Sequence, residues 1–351
     1  EKGKPLIACP GHEEWDEELI AACNVPPSEL DAVFSYMIRG GVPNFQNLFL
    51  FLSDSYLGSE YGHEAPAEVP WEGVYHPDEP DGMDAQDFVK RRFHPDHPNI
   101  AVLFYRAHWM SGNLQTLDAL VRRLEDLGAN VLPVYSFSLK HNPEGDGKVN
   151  RTFSEILCDS EGKSRVHCII NTMGMSMTDL QQDGATFATG PQVDYLDQLN
   201  VPVIQGIFST GKESEWEESS LGLGPIDTAM SVALPEFDGR IITVPISFKE
   251  EVASEANGRG GKMDARLQRN LPRPDRIDFL ARLTVKWASL RLKPNSEKRI
   301  AIILSNYPTK DARVGNAVGL DTPASVINVL NAMKDAGYHV TDIPADGDEL
   351  V

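Results

Sequence analysis

Short apolar runs alternate with amphipathic stretches through the middle of the chain. The run "IAVLFY" begins at Ile100, and the stretch "NLQTLDALVRRLEDLGA" then carries apolar residues at helical intervals until Gly128 ends it. A second apolar run, "NVLPVYSFSL", follows. Because a strand, a helix and a strand succeed one another within about forty residues, the pattern predicts a βαβ unit with a right-handed crossover and a parallel sheet.

The same alternation continues toward the carboxyl side. The runs "VHCIINTM", "VPVIQGIF" and "RIITVPISF" predict strands, and "VDYLDQL" and "IDTAMSVALPEF" predict the helices between them. Strands that are apolar throughout are typical of a parallel sheet covered on both faces. The pattern therefore predicts a doubly wound, Rossmann/flavodoxin-like α/β domain over residues 98–250.

Residues 1–97 are predicted to form a helical and irregular segment. The stretch "SELDAVFSYMIRGG" predicts one helix, and a second is predicted from Pro43. The residues expected to be buried on these helices are Leu30, Val33, Phe34, Met37, Phe45, Leu48, Phe49 and Leu52. The proline-rich and acidic stretches "GHEAPAEVPWEGVYHPDEPDG" and "RRFHPDHP" predict an extended connection to the α/β domain.

Residues 251–297 are predicted to be a linker and a long helix. The stretch "EEVASEANGRGGKMDARL" is polar and rich in glycine, which indicates a surface excursion, and "PDRIDFLARLTVKWASLRL" predicts an amphipathic helix. Its apolar stripe comprises Ile277, Leu280, Thr284, Trp287 and Ala288. A new strand-to-helix unit opens at Arg299, so residues 298–351 are predicted to be the start of a second α/β domain.

The two openings resemble each other. The stretches that begin "IAVLFYRAHWMSGN" and "IAIILSNYPTKDARVGN" share an Ile-Ala strand, a Gly-Asn loop and a helix that ends Gly-x-x-Val. When Gly128 is placed on Gly337, Leu117, Val121 and Leu124 align with Val326, Leu330 and Met333. The similarity predicts two related α/β domains, the second truncated. A chance likeness between two βαβ openings is the alternative.

Composition narrows the classes of partner. The chain has 351 residues, and its 52 acidic against 32 basic residues give a net charge of −20, which repels a nucleic acid backbone. Four scattered cysteines do not form a disulfide framework and favour a reducing compartment. No apolar run reaches the length of a membrane span. We therefore expect neither a nucleic acid nor a membrane as a partner.

Both ends of the sequence look cut. The chain begins with Glu1 rather than methionine and stops shortly after an apparent strand. These features predict that it is a portion of a longer protein, whose location they do not reveal.

The loop "LSNYPTKDARVGNAVGLDTPASV" lies at the carboxyl end of the second domain's first strand, where open α/β sheets hold ligands. It lacks the Gly-Lys-Ser/Thr of a nucleotide-binding P-loop, and its two glycines match a dinucleotide fingerprint only weakly. Asn306, Arg313 and Asn316 are predicted to bind substrate. In the alternative interpretation, Asp321 or Thr322 only caps the next helix, and both interpretations stay open because the same residues can do both.

The matching loop of the first domain, "FYRAHWMSGN", adds four predicted substrate-binding residues. They are Arg106, His108, Ser111 and Asn113, all close behind a buried strand. A lone histidine is often only structural, which is the alternative for His108. The pairs in "HPDHP" and "CPGH" lack the further ligands that a metal site needs, so no metal-binding residue is predicted.

Several of these stretches resemble one family. "VLFYRAHWMSGN", "ALPEFDGRIITVPISFK" and above all "NYPTKDARVGNAVGLDTPASVINVLNAMKDAGY" are similar to the large subunits of cobaltochelatase and magnesium chelatase. The resemblance covers residues 99–338, roughly two-thirds of the chain. Its most specific string, "VGNAVGLDTPAS", is closer to the cobalt branch than to the magnesium branch.

The resemblance implies an activity and a set of partners. It implies a tetrapyrrole-binding subunit of an ATP-dependent ligase that forms nitrogen–metal bonds, with Co(II) as substrate and hydrogenobyrinic acid a,c-diamide as acceptor, in cobalamin biosynthesis. ATP and magnesium would be used by AAA+ motor subunits, and the remainder of the large subunit would be a further partner. A cytoplasmic location is implied, and this segment would hold no tightly bound cofactor.

The resemblance assigns no catalytic residue to this chain. The family's chelation centre is generally placed in the carboxyl-terminal half of the subunit, so the isolated segment is expected to be inactive. The alternatives are the porphyrin-binding subunit of magnesium chelatase and a non-catalytic scaffold that docks the AAA+ partners. A small-molecule-binding protein or glycosyltransferase-like enzyme is a third, because paired α/β domains are common to many functions.

Overall fold

A computed structural model describes residues 3–11, 14–139, 151–177, 196–252, 267–305, 315 and 318–351. The chain divides into two compact units, residues 1–285 and residues 286–351. The domain boundaries predicted from the sequence stay predictions beside this division.

Three helices open the first unit: α1 (Glu17–Ala22), α2 (Pro27–Arg39) and α3 (Val42–Leu57). The two helices expected here are confirmed, and Leu30, Val33, Phe34 and Leu48 are buried, with Leu52 partly buried against the cluster around Tyr36. The predicted burial of Met37, Phe45 and Phe49 is wrong, since all three are exposed. Met37 on α2, and Phe45 and Phe49 on α3, lie on sides of these helices that the described chain does not cover.

In the described part of the first unit, eight strands form one sheet in the order β2-β1-β4-β3-β5-β6-β7-β8. The strands are β1 (Glu72–His76), β2 (Glu79–Met83), β3 (Asn99–Tyr105), β4 (Asn130–Ser136), β5 (Cys168–Asn171), β6 (Val203–Phe208), β7 (Ile241–Val252) and β8 (Leu267–Pro272). The first two lie in the stretch predicted as a connection. They and β8 pair antiparallel at the sheet's edges, while the central pairs from β4 to β7 are parallel.

The five central strands confirm the predicted fold class. Numbered along the chain, they lie in the order 2-1-3-4-5, which is the flavodoxin-like arrangement with a switch point between the first and third strands. The predicted βαβ unit is present: β3 leads through α5 (Arg106–Met110) and α6 (Gln115–Asp126) into β4. In register, Ile100 lies beside Val131 on one side and beside Cys168 on the other.

Apolar side chains cover the sheet on both faces. On one face, α4 (Ala85–Arg92) and a π-helical turn (Thr152–Ile156) pack against the cluster that contains Ala101 and Leu103. On the other face, helix α10 (Pro274–Leu292) brings Leu280 against the strands at Gly206, where an added Cβ would meet Leu280 Cδ2 at 3.0 Å. The predicted stripe of α10 is buried except for Trp287, which is exposed.

The remaining elements are short. They comprise α7 (Glu213–Glu218), α8 (Pro225–Thr228), a second π-helical turn (Ala229–Ala233), α9 (Leu234–Glu236), a 3-10 turn (Asn295–Glu297), α11 (Thr322–Asp335) and α12 (Gly347–Leu350). The helix predicted for "IDTAMSVALPEF" is thus present with one π-helical turn in its middle. Within the described residues, no helix combines the length and apolar character needed to cross a membrane.

In the second unit, helix α11 confirms the predicted helix, but the predicted strand is not formed. The run Ile300 to Leu304 pairs with no strand among the described residues, and its side chains are exposed. A strand needs hydrogen bonds from a neighbouring strand, whereas a helix satisfies its own backbone. The truncated second α/β domain stays a prediction.

Candidate functional site

The candidate site lies where the carboxyl ends of the parallel strands meet, and this side of the sheet is the edge referred to below. β3 ends at Tyr105 beside Ser136 of β4, and it has β5 on its other side, so the switch point lies at β3. Open α/β sheets bind ligands outside the carboxyl ends of their strands at such a point. The segments that follow β4 and β5 enter residues 140–150 and 178–195, which lie outside the described residues.

Arg106, directly after β3, holds an extended segment in place. Its Nε donates to the carbonyl of Pro70 at 2.8 Å, and its Nη2 donates to the carbonyl of Val69 at 2.8 Å. The guanidinium also lies over the ring of Trp71, 4.6 Å from its centroid. Arg106 therefore has a structural role here, and its predicted contact with substrate stays a prediction.

Ser111 and Asn113 are engaged in a similar way. The hydroxyl of Ser111 donates to the carbonyl of Ala107 at 2.7 Å. The amide of Asn113 donates to Asn270 Oδ1 at 2.9 Å and accepts from the backbone N–H of Asn270 at 3.0 Å. These bonds fix the loop to its own helix and to β8, and a role in substrate binding stays a prediction for both residues.

His108 differs from its three neighbours. Its imidazole is half-buried, with its ring centroid 5.3 Å from that of Phe208 at the end of β6. Its side chain makes no hydrogen bond to any residue that the structure describes. Burial, and to a lesser extent the charge of Lys249, lowers the pKa of His108 to about 4. At neutral pH it is an uncharged imidazole with one donor and one acceptor available to a ligand.

Asp227 organises the loop after β6, which the sequence did not indicate. Its buried carboxylate accepts hydrogen bonds from the hydroxyls of Ser209 at 2.7 Å and Thr210 at 2.8 Å. It also accepts the backbone N–H of Thr210 at 2.9 Å. These bonds to Asp227 hold the Ser-Thr-Gly sequence in a rigid turn at this edge. Just beyond the turn, the ammonium of Lys212 lies 3.8 Å from the carboxylate of Glu251.

A buried ion pair beneath the same edge was also missed. The guanidinium of Arg240 lies 2.6 Å from the carboxylate of Asp238, and both side chains are almost fully buried. Arg240 Nη1 donates to Gln205 Oε1 at 3.0 Å, and Asp238 accepts from Ser176 Oγ at 2.6 Å. The pair ties the loop after β5 to the strands below it. The string "EFDGRIITV" carries no periodicity or motif that signals such a pair.

Two buried nitrogen donors lack hydrogen-bond partners among the described residues. One is Nε of Arg240 itself, and the other is Nδ2 of Asn171 at the end of β5. Burial lowers the pKa of Arg240, and Asp238 opposes that shift and stabilises the charged guanidinium. The described site residues therefore include a half-buried, uncharged imidazole at His108 and a buried cation at Arg240.

The second predicted loop is described only in part. Asn306, Arg313 and Asn316 lie outside the described residues, and their role stays a prediction. Gly315 has a φ of 67°, and its N–H donates to the carbonyl of Ser305 at 3.0 Å. Asp321 caps α11, because its carboxylate accepts the N–H of Ala324 at 3.0 Å, and Pro323 lies in the first turn. The capping interpretation is therefore confirmed for Asp321.

Metal-binding groups do not converge in the described part of the chain: no three of its His, Cys, Asp or Glu side chains are placed to share an ion. His94 and His97 have ring centroids 5.1 Å apart without a third ligand beside them. The cysteines described are all free thiols, and burial raises the pKa of Cys168 to about 12. The site geometry is thus that of a ligand-binding edge on a flavodoxin-like sheet.

Comparison with known proteins identifies the family. The family model described as CobN/Magnesium Chelatase matches residues 34–351. The aerobic cobaltochelatase subunit CobN of Pseudomonas aeruginosa is 35% identical over 100% of this chain, and the chloroplastic magnesium-chelatase subunit ChlH of Oryza sativa is 28% identical over 90% of it. The chain belongs to the CobN/magnesium chelatase large-subunit family.

A solved structure agrees with this assignment. The catalytic subunit of cobaltochelatase from Mycobacterium tuberculosis superposes with a TM-score of 0.75 at 33% identity, over 97% of this chain. The chain spans only 26% of that structure, 26% of the Pseudomonas aeruginosa relative and 22% of the Oryza sativa relative. It therefore corresponds to about a quarter of a much longer subunit.

Proposed function

We propose that this chain is a portion of the large, tetrapyrrole-binding subunit of an ATP-dependent cobaltochelatase. The subunit would insert Co(II) into hydrogenobyrinic acid a,c-diamide during cobalamin biosynthesis, in the cytoplasm. The observation that carries this proposal is the likeness to the cobalt branch, at 35% identity over the whole chain against 28% over 90% for a magnesium-branch relative.

In this proposal, macrocycle binding, proton removal and ATP hydrolysis belong to different parts of the enzyme. Chelation replaces inner N–H hydrogen of the macrocycle with the metal ion, and the released proton must be taken up by a base. It therefore requires a held macrocycle, a base and a dehydrated metal ion. This chain contains no complete Gly-x-x-x-x-Gly-Lys-Ser/Thr loop for ATP, because its one Gly-Lys-Ser, Gly162-Lys163-Ser164, has Leu157 where the first glycine is required. ATP and magnesium are therefore assigned to AAA+ partner subunits, and the base to the part of the subunit outside residues 1–351.

Within this chain, His108 is the residue proposed to contact the tetrapyrrole. Its ring makes no hydrogen bond to the described residues, it is uncharged at neutral pH, and it lies at the ligand-binding edge of the sheet. Lys249, which is exposed and influences His108, offers a cation to a carboxylate of the macrocycle rim. Arg106, Ser111 and Asn113 support the loop, and substrate binding by Asn306, Arg313 and Asn316 stays a separate proposal.

The magnesium branch is the second candidate, because magnesium-chelatase relatives also match most of the chain. The full-length large subunit with its ATPase partners should be given Co(II) with hydrogenobyrinic acid a,c-diamide, or Mg(II) with a porphyrin. Insertion is followed by the absorbance change of the macrocycle. We expect ATP-dependent insertion of Co(II) only. Insertion of Mg(II) alone would move the protein to the other branch, and insertion of neither would leave the docking-scaffold function.

The same assay tests His108. We expect His108→Ala to raise the KM for the tetrapyrrole about tenfold, the effect of losing one hydrogen bond to a ligand. The control is His97→Ala, whose imidazole lies away from the strand ends. Equal KM values for wild type and His108→Ala would remove His108 from the proposed site.

A further inference from the structure

Helix α3 presents an apolar stripe to solvent. Val42, Phe45 and Phe49 lie at positions i, i+3 and i+7, which places them on one face of the helix. Their exposed fractions are 44%, 40% and 69%. Asn44 and Leu48 are the helix's buried residues, and Leu48 lies beside Phe45, one turn further along the helix. A row of large exposed side chains of this kind marks an interaction site.

A groove continues the stripe at the amino end of α3. It encloses about 530 Å³ between α3, the extended segment 67–70 and the loop after β3. Gly41, Asn44 and Tyr75 form its buried floor. Its walls comprise Val42, Pro43, Val69, Trp109, Met110 and Leu114. Val42 belongs to both surfaces, so groove and stripe form one surface, called here the α3 surface.

The walls of the groove are fixed by hydrogen bonds and ring stacking. Asn44 Nδ2 donates to the carbonyls of Gly40 and Ala67, each at 2.8 Å, and Asn44 Oδ1 accepts the N–H of Ala67 at 2.9 Å. Trp109 is stacked on Tyr135 with ring centroids 4.3 Å apart. Arg106 fixes the segment 69–70, as described above. The groove is therefore preformed and does not depend on a partner for its shape.

The charge of the groove limits what it binds. Glu68 is the one charged side chain among the described residues that line it, and no lysine or arginine does. Burial, then the hydrogen bond to Asp118, raises the pKa of Tyr75, so this phenol stays neutral. A carboxylate-rimmed tetrapyrrole would find no cation here. Apolar side chains flanked by a lysine or arginine, which Glu68 would attract, fit better.

A segment with such apolar and basic side chains is expected in the rest of the large subunit, because the relatives are much longer than this chain. About three-quarters of the relatives' length lies outside the matched region. Permanent interfaces are more apolar than transient ones, and the α3 surface is mainly apolar. We infer that the α3 surface docks an apolar segment, flanked by a basic residue, from the part of the large subunit outside residues 1–351. The inference rests on the proposal that the chain is a portion of that subunit.

Cysteine labelling tests the inference. Phe49→Cys is compared with Leu221→Cys, a position that is 90% exposed in the loop after α7, in both the 1–351 chain and the full-length large subunit. The rate of reaction with a maleimide is measured, and the wild-type rate is subtracted. We expect the Phe49→Cys rate to fall at least tenfold in the full-length subunit relative to the 1–351 chain. The Leu221→Cys rate gives the reference for an exposed apolar position.

Each other outcome overturns the inference. Equal Phe49→Cys rates in the two proteins would show that the rest of the subunit does not cover α3. Protection only after the ATPase partners are added would assign the surface to a partner, and protection of the 1–351 chain that grows with its concentration would assign it to a second copy. Labelling needs no chelatase activity. An active subunit with fast labelling therefore refutes only this inference, and an inactive one with slow labelling refutes only the proposed function.

Discussion

The two stretches that open with Ile-Ala share a sequence pattern but differ in burial. Ile100 and Phe104 are fully buried in β3, between two parallel strands. Ile300 and Ile303 are 52% and 90% exposed, and no strand among the described residues pairs with their run. A continuously apolar strand is stable only when other strands flank it and helices cover it, so it forms only where distant parts of the chain pack around it.

The helices of the two stretches agree much more closely. A glycine in the left-handed region lies two residues after the end of both α6 and α11, Gly128 with φ 80° and Gly337 with φ 84°. The glycine N–H donates to the third carbonyl before it in each case, at 2.9 Å and 3.0 Å. Local geometry is therefore reproduced in both stretches, while burial is not: α6 has five buried residues and the described α11 has none.

The largest effect on stability is expected when the aligned residues Ile100 and Ile300 are substituted. In the 1–351 chain, Ile100→Ala should lower the free energy of unfolding by about 2–5 kcal/mol, because it leaves a cavity in a packed core. Ile300→Ala should change it by less than about 0.5 kcal/mol, because the side chain is already exposed. Urea denaturation followed by far-UV circular dichroism measures both.

The same two substitutions are then made in the full-length large subunit. If the second domain is completed there, Ile300→Ala should become as destabilising as Ile100→Ala. Equal costs already in the 1–351 chain would contradict the exposed run, and a harmless Ile300→Ala in the full-length subunit would contradict the predicted second domain.

A medium effect is expected at the loop that follows the buried strand. The pKa of His108 is about 4 in the folded protein, below its ordinary value near 6.5, so the unfolded chain binds the proton more tightly. Stability contributed by this group is therefore present above about pH 6.5 and is lost as pH falls toward 4. His108→Gln should remove up to about 3 kcal/mol of that acid loss, since glutamine stays neutral.

The measurement for His108 is the urea midpoint of wild type and variant between pH 7 and pH 4. His97→Gln is the matched control, because that half-buried histidine lies in the turn before β3, away from the strand ends. Parallel curves for wild type and His108→Gln would contradict the desolvated imidazole. The second stretch has no histidine in its loop, so its aligned region should show no such dependence.

The smallest effect tests the shared helix ends. Gly128→Ala and Gly337→Ala should each cost about 1–2 kcal/mol, because both place a Cβ in the left-handed region. Asparagine tolerates that region better, so the Gly→Asn variants should cost less. Helix content and urea stability measure the losses. Unequal costs would show that burial, rather than local geometry, determines these ends.

Much of the first unit could be predicted from the sequence. Apolar periodicity located β3 to β7, α6 and α10, and the strand order agrees with the parallel fold that the alternation implies. The prediction failed where an apolar pattern exceeded what the chain could cover. Phe45 and Phe49 satisfy helical spacing, but a pattern does not reveal which side of a helix has a neighbour.

The candidate site was predictable in position but not in detail. The loop after β3 was located because polar residues follow a buried strand. Their roles were not predictable, because Arg106 binds carbonyls 36 and 37 residues away and Asn113 pairs with a residue 157 positions away. Asp227, Asp238 and Arg240 were missed for the same reason, since their partners lie on other strands and loops.

The family, the flavodoxin-like class, the helix ends and the negative charge could be read from the amino-acid sequence, because they depend on composition, short motifs and local geometry. Three features are visible only in the folded chain: His108 has no hydrogen bond to the described residues, Arg240 and Asp238 are buried together, and α3 presents phenylalanines to solvent. These features depend on which distant residues meet, and burial, desolvation and pairing are properties of that meeting.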